Sequence, residues 1–111
     1  MAWDIVLFES QRKERFVEEF IKSQNHSTVA KIAHTIDLLE KHGPYLGMPH
    51  AKKLTGKIYE LRIRGKEEVR IFYAFVKNQI YLLHAFRKKA QKTPTKEIKV
   101  ALQRLFSLTR T

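Results

Sequence analysis

Two neighbouring stretches decide the fold of this chain: residues 57–64 have the sequence KIYELRIR, and residues 69–75 have the sequence VRIFYAF. Apolar side chains occupy every odd-numbered position from 59 to 63 and from 69 to 75. This period of two predicts two half-buried β-strands joined by a turn at 65–68. A second turn at 77–79 leads into a third predicted strand over 80–86, so the region is expected to form an antiparallel meander.

The alternation also limits how the strands can pair. Opposed residues of an antiparallel pair share a face, so both apolar sets face one core only in registers that pair odd with odd positions. One such register places Arg62 opposite Arg70, and a register shifted by two residues keeps both on the same face. Across the second turn, the matching register pairs Tyr73 with Leu83 and Phe72 with His84. The even-numbered face is then predicted to gather seven side chains: Glu60, Arg62, Arg64, Arg70, Phe72, His84 and Phe86.

Before the meander, the apolar period changes to that of helices. A β-prone run over 4–8 precedes Ser10, which we expect to cap a first helix. After a turn at 23–26, a second helix is expected to end at Gly43-Pro44, because glycine accepts a left-handed cap and proline cannot continue a helix.

The last segment has the clearest helix pattern. Thr93 is expected as the N-cap, with Pro94 at the first helical position. The apolar positions that follow have helical spacing: Ile98, Ala101, Leu102, Leu105 and Phe106. The order β-α-α-β-β-β-α predicts one α+β domain over residues 1–111, with an antiparallel sheet and helices packed mainly on one of its faces.

Composition excludes several classes of protein. The chain has 111 residues, no cysteine and 43% hydrophobic residues, which suits one globular domain without disulfides or thiolate chemistry. No apolar run approaches the ~20 residues of a membrane span, and the N-terminus has no secretory pattern. We therefore expect a cytoplasmic protein with no membrane partner.

The net charge of +11 is concentrated in one part of the chain. Residues 1–50 contain 6 Lys and Arg against 7 Asp and Glu, whereas residues 51–111 contain 16 against 4. An excess of this kind favours a polyanion as partner: nucleic acid, an anionic membrane surface or an acidic protein. A basic surface that only confers solubility is the plain alternative.

The even-numbered face has two interpretations. Two arginines close together repel unless an anion or a carboxylate neutralises them, and Glu60 can do so in a surface Glu–Arg network. Alternatively, the arginines form a phosphate-binding floor, beside which Phe72 or Phe86 stacks a base. A basic cluster follows the last strand at the edge of this face: Arg87, Lys88, Lys89 and Lys92.

The residues permit RNA cleavage without a metal or another cofactor. No histidine pair has the spacing of a zinc site, and no carboxylate cluster suits magnesium. An RNA 2′-hydroxyl can attack the adjacent phosphate if one group takes its proton, another protonates the leaving oxygen, and cations hold the charge on phosphorus. Glu60 or His84 can handle the protons. The candidate cations are Arg62, Arg70, Arg87, Lys88 and Lys89.

Four ordered blocks resemble the phage-derived HigB-like branch of the RelE toxin superfamily: LTGKIYELR over 54–62, VRIFY over 69–73, LLHAFRKK over 82–89, and KTP with EI between 92 and 98. The resemblance implies a microbial RNase-like fold and a toxin of a type II toxin–antitoxin pair. Such toxins typically cleave mRNA, usually in the ribosomal A site, and are neutralised by an antitoxin that often carries a helix-turn-helix, as HigA-like proteins do.

The resemblance also suggests roles for residues. The phosphate-binding arginines of the family fall on Arg62 and Arg70, and its basic cluster falls on Arg87, Lys88 and Lys89. Together with Glu60 and His84, which the chemistry of the residues suggests for proton transfer, this gives the predicted catalytic residues Glu60, Arg62, Arg70 and His84. The predicted RNA contacts are Arg64, Phe72, Phe86, Arg87, Lys88, Lys89 and Lys92.

Other functions share some of these features. A non-catalytic RNA- or ribosome-binding module would have the same basic face but would leave mRNA intact. A DNA-binding regulator ranks lower, because the basic residues cluster on strands and a loop rather than on a recognition helix. A membrane-surface role ranks lowest, because no helix combines an apolar stripe with a dominant basic face.

Overall fold

A computed structural model describes residues 2–110 of the chain. Its elements follow in this order: β1 (Asp4–Leu7), α1 (Phe16–Lys22), α2 (His26–His42), a short 3-10 turn (Gly43–Tyr45), β2 (Ala51–Thr55), β3 (Ile58–Ile63), β4 (Val69–Val76), β5 (Gln79–Arg87) and α3 (Thr95–Thr109). The predicted meander is confirmed as β3, β4 and β5. The sheet is mixed rather than antiparallel, because β1 pairs in parallel with β5 in the strand order β1-β5-β4-β3-β2.

Strand β2 was not predicted from the sequence. Strand β2 lies at the sheet edge, pairs antiparallel with β3 and has a register shift between Lys53 and Thr55. Its sequence, AKKLT, carries two lysines and too few alternating apolar side chains to indicate a strand. Short, irregular, lysine-bearing strands are common at edges, where they discourage pairing with other chains.

The predicted registers are confirmed over most of their length. Arg62 lies opposite Arg70, and Phe72 lies opposite His84. The predicted pair Tyr73–Leu83 is wrong, because the register shifts after Phe72 and Tyr73 pairs with Leu82. Leu83 is therefore the extra residue of a β-bulge, and it lies on the same side of the sheet as His84.

Helices cover both faces of the sheet, which corrects the expectation that they pack mainly on one. Helices α1 and α2 contribute Val17, Ile32 and Leu39 to a core with the odd-numbered side chains of β3 and β4. We call this side the α2 face. On the opposite side, the α3 face, Ala101 of α3 packs in a second core with six other buried residues: Phe8, Ile58, Phe72, Ala74, Leu83 and Phe86.

Helix ends were predicted less well than strands. Helix α1 begins at Phe16, and the Ser10 hydroxyl instead accepts a hydrogen bond from the Glu14 N–H in the turn before it. Helix α3 begins after Pro94, so Thr93 is not its N-cap. Hydroxyl side chains form local turns as readily as helix caps, and sequence alone does not separate the two.

The end of α2 was predicted correctly. Helix α2 runs to His42, and Gly43 has a φ of 53°. A side chain at this position would also collide with the indole of Trp3. Glycine is therefore required twice at this point, for its backbone angle and for the close approach of Trp3. In residues 2–110, no helix combines the length and the apolar character needed to cross a membrane.

The two-sided core yields a prediction about stability. Phe72 is fully buried on the α3 face, whereas Phe106 of α3 is 62% exposed. Phe72→Ala should lower the free energy of unfolding by about 3–5 kcal/mol, because it leaves a cavity between sheet and helix. The matched variant Phe106→Ala should change it by less than about 0.5 kcal/mol. Urea denaturation followed by circular dichroism measures both, and equal effects would mean that α3 does not cover this face.

Candidate functional site

The predicted Arg62–Arg70 pair lies at one end of the α3 face, where Glu60 joins it. The Arg62 Nε lies 3.5 Å from Glu60 Oε1, and the Arg70 Nε lies 3.7 Å from Glu60 Oε2. Glu60 is 3% exposed and Arg70 is 2% exposed. One buried carboxylate therefore lies between two guanidinium groups of adjacent strands and offsets their mutual repulsion.

A second carboxylate completes the charge balance. Arg70 Nη2 donates to Glu68 Oε2 at 2.8 Å, and its Nη1 donates to the Val69 carbonyl at 3.4 Å. Two arginines and two glutamates thus form a neutral network, which we call the Glu–Arg network (Glu60, Arg62, Glu68 and Arg70). The network that the sequence allowed is present, but it is mostly buried instead of lying on the surface.

Two donors in the network have no acceptor. The Nε atoms of Arg62 and Arg70 are buried and make no hydrogen bond within the described residues, because both Glu60 oxygens lie beyond good hydrogen-bond geometry. A buried N–H group without a partner costs free energy, so these two groups are suited to receive an oxygen atom from a ligand.

The basic loop between β5 and α3 passes over the network. Thr93 donates from its hydroxyl to Glu60 Oε2 at 3.3 Å, and the Lys88 N–H donates to the Glu68 carbonyl at 2.8 Å. Lys89 and Lys92 are exposed on this loop. The structure therefore brings the predicted basic cluster and the arginine pair together.

The flanking arginines have different surroundings. Arg87 is exposed, donates to Gln24 Oε1 at 3.1 Å and lies 3.7 Å from Glu67. Arg64 is exposed directly after β3. Both lie near the end of the sheet at which Val69 pairs with Arg87, so this end carries most of the predicted RNA contacts.

The prediction that Phe72 or Phe86 stacks a base is wrong for this arrangement. Phe72 is fully buried and Phe86 is 7% exposed. Their rings meet edge to face at 5.2 Å beneath α3. The alternating pattern could not reveal this burial, because the cover comes from a helix distant in sequence.

His84 is held from both sides. Its Nε2 lies 2.7 Å from Glu97 Oε1, and its Nδ1 lies 3.3 Å from Nη1 of Arg104, which also donates to the Leu83 carbonyl at 2.8 Å. Arginine can only donate, so Nδ1 accepts and the proton of the neutral ring is on Nε2, from which it is donated to Glu97.

The ionisation of His84 agrees with this arrangement. Burial lowers its pKa from the usual 6.5, and the hydrogen bond that His84 donates to Glu97 opposes that effect only in part. The neutral ring stacks on Phe86 at 5.5 Å and connects β5 with α3. Neither ring nitrogen is free to exchange a proton with a bound substrate in this arrangement.

Four residues near the predicted site were missed at the sequence level: Glu68, Thr93, Glu97 and Arg104. Glu97 and Arg104 share one side of α3 with the buried Ala101, at spacings of four and three residues. That spacing was a usable signal that they face the sheet. Among residues 2–110, no three His, Asp or Glu side chains lie together as a group that could hold a metal ion.

Comparison with known proteins gives one match. Residues 19–106 match the family described as Phage derived protein Gp49-like (DUF891). The matched range includes β2 to β5 and most of α3, and with them all four residues of the Glu–Arg network. No curated protein matches the chain.

The lowered pKa of His84 predicts a pH dependence of stability. The unfolded chain, with an ordinary histidine pKa, binds the proton more readily than the folded chain does. The free energy of unfolding should therefore fall as the pH drops below about 6.5, by at most about 1.4 kcal/mol per pH unit from this group. His84→Gln should reduce that dependence.

Urea denaturation between pH 5 and pH 8 measures this effect. The matched control is His26→Gln, which changes an exposed histidine at the start of α2. The same pH dependence in the wild type and in His84→Gln would contradict a neutral, partly buried His84.

Proposed function

We propose that this chain is an endoribonuclease toxin. The chain belongs to the phage-derived Gp49-like family, which is a toxin-like family of the RelE/Gp49 type. In this proposal the protein cleaves mRNA without a metal ion, and so inhibits translation and growth. The four sequence blocks that resemble HigB-like toxins support its place in that branch. The observation that carries the proposal is the Glu60 carboxylate between the guanidinium groups of Arg62 and Arg70, under a basic loop.

The chemistry requires three functions at one phosphodiester. The 2′-oxygen forms a bond to phosphorus while the bond to the 5′-oxygen breaks, which leaves a 2′,3′-cyclic phosphate and a 5′-hydroxyl. Arg62 and Arg70 hold the phosphate oxygens, and their two unpaired Nε–H groups stabilise the charge of the transition state.

We assign Glu60 as the general base that takes the 2′-hydroxyl proton. His84 is a poorer candidate, because Glu97 and Arg104 occupy both of its ring nitrogens. His84 acts instead as a positioning residue that holds β5 against α3. The leaving 5′-oxygen takes its proton from a second group, for which the basic loop offers the ammonium groups of Lys88 and Lys89.

Substrate access requires a movement. Arg70 is 2% exposed, and the loop bonded to Glu60 and Glu68 lies over it. An RNA phosphate would therefore first meet the exposed cations, displace the loop and replace the Glu68 carboxylate on Arg70. The charge balance of the network is kept, because one anion replaces another.

The substrate setting and the partner are also part of the proposal. The resemblance supports cleavage on the translating ribosome, in the A site, and hence an action in the cytoplasm. It also supports a cognate antitoxin with a helix-turn-helix, similar to HigA. The charge of +11 suits an acidic antitoxin segment that covers the basic end of the sheet.

A substitution at Arg62 tests the catalytic proposal. Arg62→Gln should slow cleavage of a translated mRNA about 100-fold, because it removes one charged donor from the transition state. Arg70→Lys keeps the buried positive charge but loses the planar guanidinium group that can bind two phosphate oxygens at once, and it should also impair cleavage. Primer extension in a reconstituted translation system measures the new 5′ ends, and growth after induction measures toxicity.

Lys41→Gln is the matched control, since it removes the same charge from the distant end of α2. The neighbouring residue Glu40 accepts a hydrogen bond through its carbonyl from the Trp3 N–H, and the Trp3 ring packs on Phe75 near the turn between β4 and β5. Lys41 therefore lies at the end of the sheet opposite to the Glu–Arg network. Full cleavage by a folded Arg62→Gln variant would reject the arginine site. Toxicity without new 5′ ends would favour the non-catalytic ribosome-binding module.

The antitoxin proposal has a separate test. Co-expression with the product of an adjacent small helix-turn-helix gene should restore growth and yield a stable complex. The double variant Lys88→Glu, Lys89→Glu should weaken that complex, whereas Lys41→Glu should not. Isothermal titration at two salt concentrations measures the difference, and equal affinities would place the partner on another surface.

A further inference from the structure

A second basic site lies on the α2 face of the sheet, beside the end of β3. It is a cavity of about 400 Å³ between α2 and the segment that precedes β2. Five basic or titratable side chains line it: Lys31, His34, His50, Arg62 and Arg64. Its volume is within the range of about 300–1,000 Å³ that is usual for small-ligand sites.

Two of the three lysine and arginine side chains that line this cavity, Lys31 and Arg64, have no carboxylate partner within the described residues. None of the residues that line it is acidic. Within residues 2–110, the ion pairs do not include Lys31, His34, His50 or Arg64, so only Arg62 has a carboxylate partner. Cations that gather at a concave surface without a counter-charge attract anions.

The cavity has a fixed frame. The Arg62 N–H donates to the His50 carbonyl at 2.7 Å, which holds the segment before β2 against β3. The Lys31 side chain passes so close to Gly65 that a side chain at position 65 would collide with Lys31 Nζ. The flexible Lys31 side chain of α2 therefore reaches the turn between β3 and β4 beside the cavity.

We propose that this cavity binds a phosphate of an RNA strand, at a position remote from the cleaved bond. The choice of RNA as the occupant rests on the proposed function. Arg62 lines the cavity and also lies 3.5 Å from Glu60, so the cavity and the Glu–Arg network adjoin through one residue. Arg64 extends the basic surface from the cavity toward the end of the sheet. A single strand can follow this surface from one face to the other.

This site differs from the Glu–Arg network in accessibility. Lys31, His34 and Arg64 are exposed, whereas Arg70 and Glu60 are buried under the basic loop. An RNA strand can therefore occupy the cavity before the loop moves. The cavity contributes affinity for the strand, and the network contributes the chemistry.

Fluorescence anisotropy with a labelled, fully 2′-O-methylated single-stranded RNA tests the proposal, because this probe binds but cannot be cleaved. Lys31→Gln should weaken binding about threefold to tenfold and lower the salt slope of the association constant by about 0.7. Adding His34→Gln should weaken binding further. The control Lys41→Gln, on the same helix, should leave both the affinity and the slope unchanged.

Competition distinguishes RNA from other anions. Inorganic phosphate and a mononucleotide should displace the probe only weakly, because each makes one contact where the strand makes several. Saturation of the cavity by inorganic phosphate with no competition from RNA would overturn the proposal. The proposal would also be overturned if Lys31→Gln bound the RNA probe as tightly as the wild type does. The same holds if the substitution weakened binding of an acidic partner segment but not binding of the RNA.

The outcome is separable from the nuclease proposal. A wild-type protein that cleaves no mRNA, yet loses affinity for the probe in Lys31→Gln, would retain the cavity as an RNA site and reject the enzyme. If the wild-type protein cleaves mRNA but Lys31→Gln binds the probe as tightly as the wild type does, the enzyme proposal is kept and the RNA site in the cavity is rejected.

Discussion

The pairing of two arginines across adjacent strands is the constraint on which this end of the structure depends. Like charges directly opposite one another destabilise a sheet, and at 2% exposure Arg70 cannot be relieved by solvent. Glu60 and Glu68 supply the compensating charge, and Thr93 and the Lys88 backbone tie the next loop to these glutamates. The basic loop is thus placed where its own cations border the network. The result is a neutral buried cluster within a strongly basic surface.

The bulge at Leu83 is the second organising feature. A regular strand would place only one of residues 83 and 84 on the α3 face, whereas the bulge places both there. Leu83 then enters the second core, while His84 reaches Glu97 and Arg104 of α3. Packing and hydrogen bonding therefore fix α3 across the face that carries the Glu–Arg network. The same helix that stabilises the sheet removes Phe72 and Phe86 from solvent.

Much of the sheet was predictable, because a strand repeats every two residues and the two patterns must face one core. That Arg62 and Arg70 share a face followed from that rule, and one of the two registers it allowed places them opposite each other, as the structure does. The rule failed at Tyr73, since a bulge adds a residue without changing the local pattern. Strand β2 was missed for another reason: an edge strand is held by backbone pairing with β3 and needs few apolar side chains. Helix starts were misplaced because Ser10 and Thr93 use their hydroxyls elsewhere.

The sequence by itself determined the strand period, the shared face of the arginines and the concentration of charge after residue 50. Each of these properties is local, or follows from the alternation of side chains along a strand. Tertiary structure alone decided that the arginine face is buried, that His84 is held in the neutral form, and that a second basic cavity lies between α2 and β3. These depend on contacts between segments far apart in the chain, which no short pattern encodes. An alternating strand has the same sequence pattern whether its polar face meets water or a helix.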